Sequence, residues 1–364
     1  MKLEEVLLKH CERYPKMQVQ DMVKLIYQNE FGGGHLIKNK NESLKRLQEE
    51  YLSLGRYSSS YETKLELEKM FENIGNNLVR INLRTLKNSD SWNIDLAVIN
   101  NFFVNTANSI SGNIQKFEEK LQILKKCSED KILPYGLSDI DTYLVEYKAK
   151  GYPAVSHSEI YRSYYFPAYR IIKTEYKDFF DVFLRIDSLL KSKDSVNVAI
   201  DGNSGSGKST LASLIADIYD CKVFHMDDFF LTPELRTEER INEIGGNVDY
   251  IRFKNEIING LHSGKEFKYR KFDCSKMSLK DAVIVTPKKL NIIEGSYSMH
   301  PALVENYDLK IFLYVDEEIQ SKRILHRNGA KMHKMFINLW IPLENKYFNE
   351  MKIKENSDLV FNTL

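Results

Sequence analysis

The chain has 364 residues, 43% hydrophobic and 28% charged, with only 17 Gly and 8 Pro, which excludes collagen-like or wholesale disordered structure. At roughly 150 residues per domain the length predicts two domains, and a chain of this size buries roughly 75% of its unfolded surface without disulfides or a structural metal. Lys and Arg total 52 against 51 Asp and Glu, a net charge of +1, so a polyanion-binding role lacks a basic excess and nucleic acid is disfavoured as a partner.

Cys11, Cys127, Cys221 and Cys274 are far apart and form no CxxC pair, so free thiols are expected rather than a zinc knuckle or a redox couple. The opening MKLEEVLLKHCERY has an acidic pair inside its apolar run and no small-residue cleavage site. No stretch approaches 18 apolar residues. The expectation is a cytoplasmic protein with no membrane partner.

Residues 1–190 read as a mainly helical domain. Val6, Leu7, Met17, Met22, Val23, Leu25 and Ile26 fall in short runs between charges, and Leu44 to Leu54 has helical spacing. Phe31-Gly32-Gly33-Gly34-His35 breaks two such helices sharply. Its three glycines suit either a structural turn or an anion contact, although the spacing matches no phosphate loop. Leu96 to Val104, an apolar run inside an Asn-rich stretch, predicts another helix. Gly151 to Arg170, GYPAVSHSEIYRSYYFPAYR, holds five Tyr, two Arg and a His, with Pro153 and Pro167 as boundaries. Two compatible readings stand: a seam between domains, and a pocket for a planar or anionic ligand.

Lys191 to Ser195 reads as a linker, placing the domain boundary near 192. Residues 195–364 change character. Val196 to Ile200 is a β-branched run followed by a glycine-rich turn and a helix, and Leu290 to Ile293 and Leu309 to Val315 repeat the apolar run beside helical sequence. Strands alternating with helices predict a mostly parallel sheet covered on both faces. The fold class expected is α/β, a domain with a mostly parallel sheet preceded by the mainly helical one.

Gly202-Asn203-Ser204-Gly205-Ser206-Gly207-Lys208-Ser209 fits G-x-x-x-x-G-K-[ST] throughout, with Thr210 continuing into the helix. Glycines let such a loop turn its backbone N–H groups toward phosphate oxygens. Lys208 is expected to reach the β/γ-phosphates and the Ser209 hydroxyl to bind Mg²⁺. The chain has no Asn-Lys-x-Asp guanine-reading motif. Its Asn291-Ile292-Ile293-Glu294-Gly295 run ends in one Glu rather than a carboxylate pair, an arrangement suited to a small-molecule kinase. His225-Met226-Asp227-Asp228-Phe229-Phe230 puts two carboxylates at a strand's C-terminal end, where α/β clefts form. Transfer to a hydroxyl needs a carboxylate to accept its proton, and Asp227 is the candidate base.

The loop from Gly202 to Thr210, MDDFF, Asn247-Val248-Asp249-Tyr250 with Phe253, IIEGSYSMHP and the Arg323/Arg327 pair together resemble the uridine kinase and phosphoribulokinase family, over about residues 195–345. The resemblance implies ATP and Mg²⁺ as cofactors and a nucleoside or sugar hydroxyl as acceptor. It makes Asp227 the catalytic aspartate, Asp249 a contact to acceptor hydroxyls and Glu294 the acid of the central strand that serves Mg²⁺. Arg323 and Arg327 resemble lid arginines that clamp the transferring phosphates, on one helical face at i, i+4. The chain departs from uridine kinases after Asp249, where Tyr250-Ile251-Arg252-Phe253 replaces a His-Pro-Asp pattern. Near the acceptor, Asp228, Tyr269, Arg270, Asp273 and His300 are further candidates, with a satisfied loop histidine as the alternative for His300. Trp340, Ile341, Pro342, Tyr347 and Phe348 read as packing of a C-terminal helix.

The expected function is ATP- and Mg²⁺-dependent phosphorylation of a small hydroxylated metabolite. Two alternatives stand beside it. One is a nucleotide-gated module whose N-terminal half engages a protein or RNA. The other is a nucleic-acid 5′-hydroxyl kinase, which lacks a supporting basic stripe.

Overall fold

A computed structural model describes residues 2–55, 70–88 and 92–363. The chain divides into two compact units, Met1–Leu184 and Arg185–Leu364, and the division falls inside the helix Phe180–Ser192.

The N-terminal unit is mainly helical. Its helices start where short polar side chains satisfy the free N–H groups of a first turn. Asn39, Asp95, Asn113 and Ser158 accept from Glu42, Ala97, Lys116 and Tyr161 respectively. The apolar faces of Leu3–Arg13 and Val19–Phe31, with Val6, Leu7, Met22, Leu25 and Ile26, pack on Phe117, Leu121 and Leu124 of Ile114–Glu129. The run at Leu96 becomes the helix Leu96–Ser109. The glycine break is explained by packing: Gly32 leaves the helix at φ +60°, and a Cβ on Gly33 would lie 2.6 Å from the Phe103 ring.

This unit also contains a sheet that helical periodicity did not predict. Strands β1 (Phe71–Gly75), β2 (Leu78–Asn82) and β3 (Tyr169–Lys173) pair antiparallel in the order β1-β2-β3. Asn76 and Asn77, with φ of 54° and 56°, close the first hairpin as a two-residue turn, a conformation Asn tolerates. Strand β3 joins from almost ninety residues later, a pairing no local pattern announces.

In the C-terminal unit β4 (Val196–Gly202), β5 (Cys221–His225), β8 (Leu290–Glu294), β9 (Leu309–Tyr314) and β10 (Leu359–Asn362) form a parallel sheet ordered β10-β9-β4-β8-β5. Strands β4 and β8 are buried at every residue, so their mostly apolar runs carry a buried Asn each, Asn197 and Asn291. Register pairs Ile200 and His225 with Glu294, and Gly202 with Leu313, so these strand ends share one edge. Strands β6 (Phe267–Asp273) and β7 (Ser278–Val285) form a separate antiparallel hairpin. The core gathers Ala199, Phe224, Phe229, Ile293, Phe312 and Tyr347. The helix Glu317–Met335 is bent at Gly329, where φ is 75° and ψ 170°. Among the described residues no helix is long and apolar enough to cross a membrane.

Candidate functional site

The loop from Gly202 to Gly207 leaves β4 and enters the helix Lys208–Ala216. Gly202 (φ +142°) is the tightest point: a Cβ there would stand 1.8 Å from the Leu313 carbonyl oxygen on the neighbouring strand. Gly205 and Gly207 are also in the left-handed region. Lys208 curls back over the loop and donates to the carbonyls of Gly202 (2.8 Å) and Asn203 (2.9 Å) and to the Ser296 hydroxyl (3.3 Å). Ser209 Oγ donates to the Glu294 carboxylate at 3.1 and 3.2 Å, and His225 Nδ1 meets the same group at 2.5 Å. That hydrogen bond, aided by the charge of Glu294, raises the His225 pKa against the pull of burial. Thr210 follows, exposed, in the first helical turn.

Asp227 sits just past β5 with Asp228, in a short 3₁₀ turn from Met226 to Phe229. Its carboxylate is open to solvent on one side yet densely surrounded by protein. Desolvation raises its pKa, Lys208 opposes that, and the negative charges of Glu294 and Glu344 reinforce it. Lys208, Glu294 and Asp227 therefore form one electrostatic group at the edge of the sheet. Asp228 pairs with Lys271 at 3.0 Å and also bonds the Tyr269 hydroxyl, while the Tyr269 ring is buried against Phe224 and Phe229.

Asp249 caps the helix Tyr250–Phe253, accepting from Arg252 N at 2.9 Å. Arg252 then ties the neighbourhood together. It donates to the carbonyls of Arg270 (2.6 Å) and Asp228 (2.9 Å) and lies 4.3 Å over the Phe229 ring. Arg270 is exposed and reaches Glu256 at 3.4 Å. Asp273 is taken up by the β6–β7 turn, where it accepts from Ser275 Oγ (2.6 Å) and Ser275 N (2.9 Å). His300 stacks on Tyr250 at 4.0 Å and accepts from Ala302 N through Nδ1. Burial pushes its pKa down to about 4, so it is a neutral loop histidine at pH 7. Arg323 and Arg327 share a helical face but not a setting. Arg323 donates to Gly205 O (3.1 Å) and Thr363 Oγ1 (3.2 Å), whereas Arg327 is exposed and bonds Asn328.

Sequence reasoning missed the residues that hold the loop in shape. Asp201, fully buried beneath it, accepts from the N–H groups of Gly202 (2.7 Å), Tyr297 (3.1 Å) and Met299 (2.9 Å) and from the Tyr347 hydroxyl (2.9 Å). Desolvation nevertheless raises its pKa to about 6. Glu344, from the helix Ile341–Glu350, accepts from Ser204 N (2.9 Å), Ser204 Oγ (2.6 Å) and Ser296 Oγ (2.8 Å). Buried Gln320 donates to Ser204 O at 2.9 Å. Asp201 directly before the first loop glycine was readable as a signal. Glu344 and Gln320 were not, because only the tertiary fold brings them more than a hundred residues back to the loop.

The hydroxyl of Ser209 and the carboxylate of Glu294 are hard oxygen donors, and they lie within hydrogen-bond distance of one another. Among the described residues no group of three or more His, Cys, Asp or Glu could cage a metal. The Ser209–Glu294 pair fits Mg²⁺, which takes one or two protein oxygens and leaves its other positions to phosphate and water.

Residues 197–332 match the model of the Phosphoribulokinase / Uridine kinase family. Over this region the chain is similar to P-loop kinase-like phosphotransferases, a likeness that fits nucleotide binding. A cytidylate kinase from Mycoplasmopsis pulmonis is 27% identical over 157 residues, covering 37% of this chain and 70% of that protein. Among solved structures, a possible uridine kinase from Bacillus stearothermophilus is 21% identical with a TM-score of 0.38, covering 50% of this chain and 99% of its own. A shikimate kinase from Acinetobacter baumannii in complex with shikimate is 16% identical with a TM-score of 0.26, covering 48% of this chain and 88% of its own.

Proposed function

We propose that the C-terminal unit uses ATP and Mg²⁺ to phosphorylate a hydroxyl of a small metabolite, a nucleoside or a sugar. The observation that supports this best is Asp227 beside Lys208 and Glu294 at the C-terminal edge of the parallel sheet, its pKa raised by burial and neighbouring carboxylates. A base with elevated affinity for a proton, next to a phosphate-binding loop, is what transfer to an alcohol requires.

In this reading the backbone N–H groups from Asn203 to Ser209 cradle the nucleotide phosphates, with Thr210 continuing the cradle into the first helical turn. Ser209 and Glu294 hold Mg²⁺, directly or through water, and His225 fixes the Glu294 carboxylate by its 2.5 Å bond. Bound Mg²⁺ would neutralise phosphate charge. Lys208 gives up its contacts to the Gly202 and Asn203 carbonyls and donates to phosphate oxygens instead. Asp227 accepts the acceptor's proton and orients its oxygen. Arg323, already against the loop at Gly205, and Arg327, on the exposed face of the same helix, supply charge to the transferring group. Asp228, Asp249, Arg270 and the Tyr269 hydroxyl form the acceptor side. Asp273 and His300 are engaged in their own loops and receive no acceptor contact here.

The test is an ADP-release assay with ATP and Mg²⁺ across nucleosides, pentoses, hexoses, polyols and hydroxy-amino acids. One acceptor should stimulate release and gain a phosphate. Asp227→Asn should lower that turnover by about 10³-fold while ATP binding persists. Unchanged turnover in Asp227→Asn would refute the base assignment. Silence across the panel with tight ATP binding would favour a nucleotide-gated module.

A further inference from the structure

We propose that Arg252 is the positioning residue of the acceptor side: its guanidinium fixes the turn that carries Asp227, the strand β6 and the helix capped by Asp249 into one frame. The inference rests on the phosphotransfer reading and names what keeps that reading's acceptor groups in register with the base.

Three separate pieces of chain meet at this residue. The turn Met226–Phe229 follows β5 and carries Asp227 and Asp228. Strand β6 belongs to the β6–β7 hairpin, a sheet of its own apart from the five parallel strands. The helix Tyr250–Phe253 starts at Asp249, whose carboxylate accepts from Arg252 N at 2.9 Å. Backbone joins the first and third pieces, since Asp249 N donates to Phe229 O at 2.8 Å and Leu231 N to Asn247 O at 3.1 Å. Side chains join β6 to them. Arg252 donates from one arm to Arg270 O (2.6 Å) and from the other to Asp228 O (2.9 Å). Lys271 reaches Asp228 at 3.0 Å, Glu256 accepts from Arg270 N at 2.8 Å, and the Tyr269 ring stacks on Phe229.

The chemistry of this position calls for a guanidinium. It is planar and holds five N–H donors in fixed directions, so one group can bond carbonyls on two segments and still lie flat on a ring. Arg252 does all three, with Phe229 4.3 Å beneath it. Its side chain is 9% exposed, so water competes little for these bonds. Asp249 and Glu256 each stand 3.7 Å away, too far for a hydrogen bond but near enough to balance the charge. The two carbonyls it holds belong to Asp228, next to the base, and to Arg270, between Tyr269 and Lys271. Fixing them fixes the distance from Asp227 to the acceptor side, and a shift of about 1 Å there costs about 10²-fold in rate. An ammonium would keep the charge but reach one carbonyl and lose the flat stacking.

The test measures kcat and KM of the full chain for ATP and for the acceptor that the ADP-release panel identifies. Arg252→Lys should lower kcat/KM for the acceptor about tenfold and Arg252→Met about 10²-fold, with the KM for ATP within about twofold of the wild type. The preference for the best acceptor over the next best should shrink in both variants. A mere loss of folded protein would leave that preference unchanged, because it lowers all rates alike. The inference is overturned, with the transfer reading intact, if both variants keep the wild-type kcat/KM, or if ATP binding and acceptor use are lost together. Where Arg252→Met binds no ATP, Arg252→Lys decides by the same criteria. A wild type silent with every acceptor overturns the transfer reading and this inference with it.

Discussion

The two units bury charge in opposite ways. In the C-terminal unit two of the buried carboxylates, Asp201 and Glu344, are held by neutral donors. Asp201 takes three backbone N–H groups and a tyrosine hydroxyl, and Glu344 takes one N–H and two serine hydroxyls. In the N-terminal unit charge meets charge: Glu72 with Arg80 and Glu30 with Lys120. Neutral donors leave Asp201 desolvated and its pKa raised to about 6. Although burial opposes it, the neighbours His10, Arg80 and Arg13 hold the Glu72 carboxyl far below the usual range. Carboxylates held by backbone shape loops, and here they shape the glycine-rich loop that follows β4. Paired ions neutralise one another inside a helical core, as Glu72 does with Arg80 and Arg13.

The contrast predicts different responses to removing one partner. Arg80→Met should cost about 3–5 kcal/mol, read from the urea midpoint, because it strands Glu72 in the core. A loss below about 1 kcal/mol would mean that Arg13 and His10 alone satisfy Glu72, and the paired-ion description of this unit would fail.

His157 sharpens the comparison through pH. It is buried between Asp21 (2.9 Å) and the Tyr169 hydroxyl (2.7 Å), and burial, aided by Arg80 and Lys24, lowers its pKa to about 4 despite the bond to Asp21. The unfolded chain, with its His near 6.5, binds more protons between those values. Stability should therefore rise with pH from about 4 to 6.5 and level off above, by an amount on the order of 3 kcal/mol. His157→Gln should flatten that rise when urea midpoints are compared at pH 4.5 and 7. An equal slope in both proteins would place the titrating group elsewhere.

The smallest effect is expected at Glu344→Gln. The amide keeps one acceptor oxygen and turns an NH₂ toward a donor, so a loss of about 1.5 kcal/mol should follow, seen as a lowered midpoint for the C-terminal unit. A loss as large as that of Arg80→Met would erase the distinction between the two kinds of burial.

The local chain was enough to read the phosphate loop, the strands beside it and the sequence order of Lys208, Asp227 and Glu294. These features depend on neighbours in sequence: glycines that permit positive φ, apolar runs long enough for buried strands, and a Lys-Ser pair opening a helix. The N-terminal helices were legible for the same reason, through the spacing of their apolar residues. The strands β1 to β3 were not, because β3 is recruited from across the unit and its Tyr169 and Arg170 carry no alternating pattern. The aromatic segment from Gly151 to Arg170 announced an unusual surface, but the residues that give it charge, Arg13, Glu72 and Arg80, come from a helix and a hairpin far earlier in the chain. Likewise Asp201, Glu344 and Gln320 acquire their roles only when a strand end, a C-terminal helix and the bent helix converge on one loop. Sequence by itself determined which chemistry-bearing groups the chain possesses and which backbone conformations hold them. Tertiary structure alone decided which of those groups lose their water, since desolvation and pairing depend on residues distant in sequence being brought within a few ångströms.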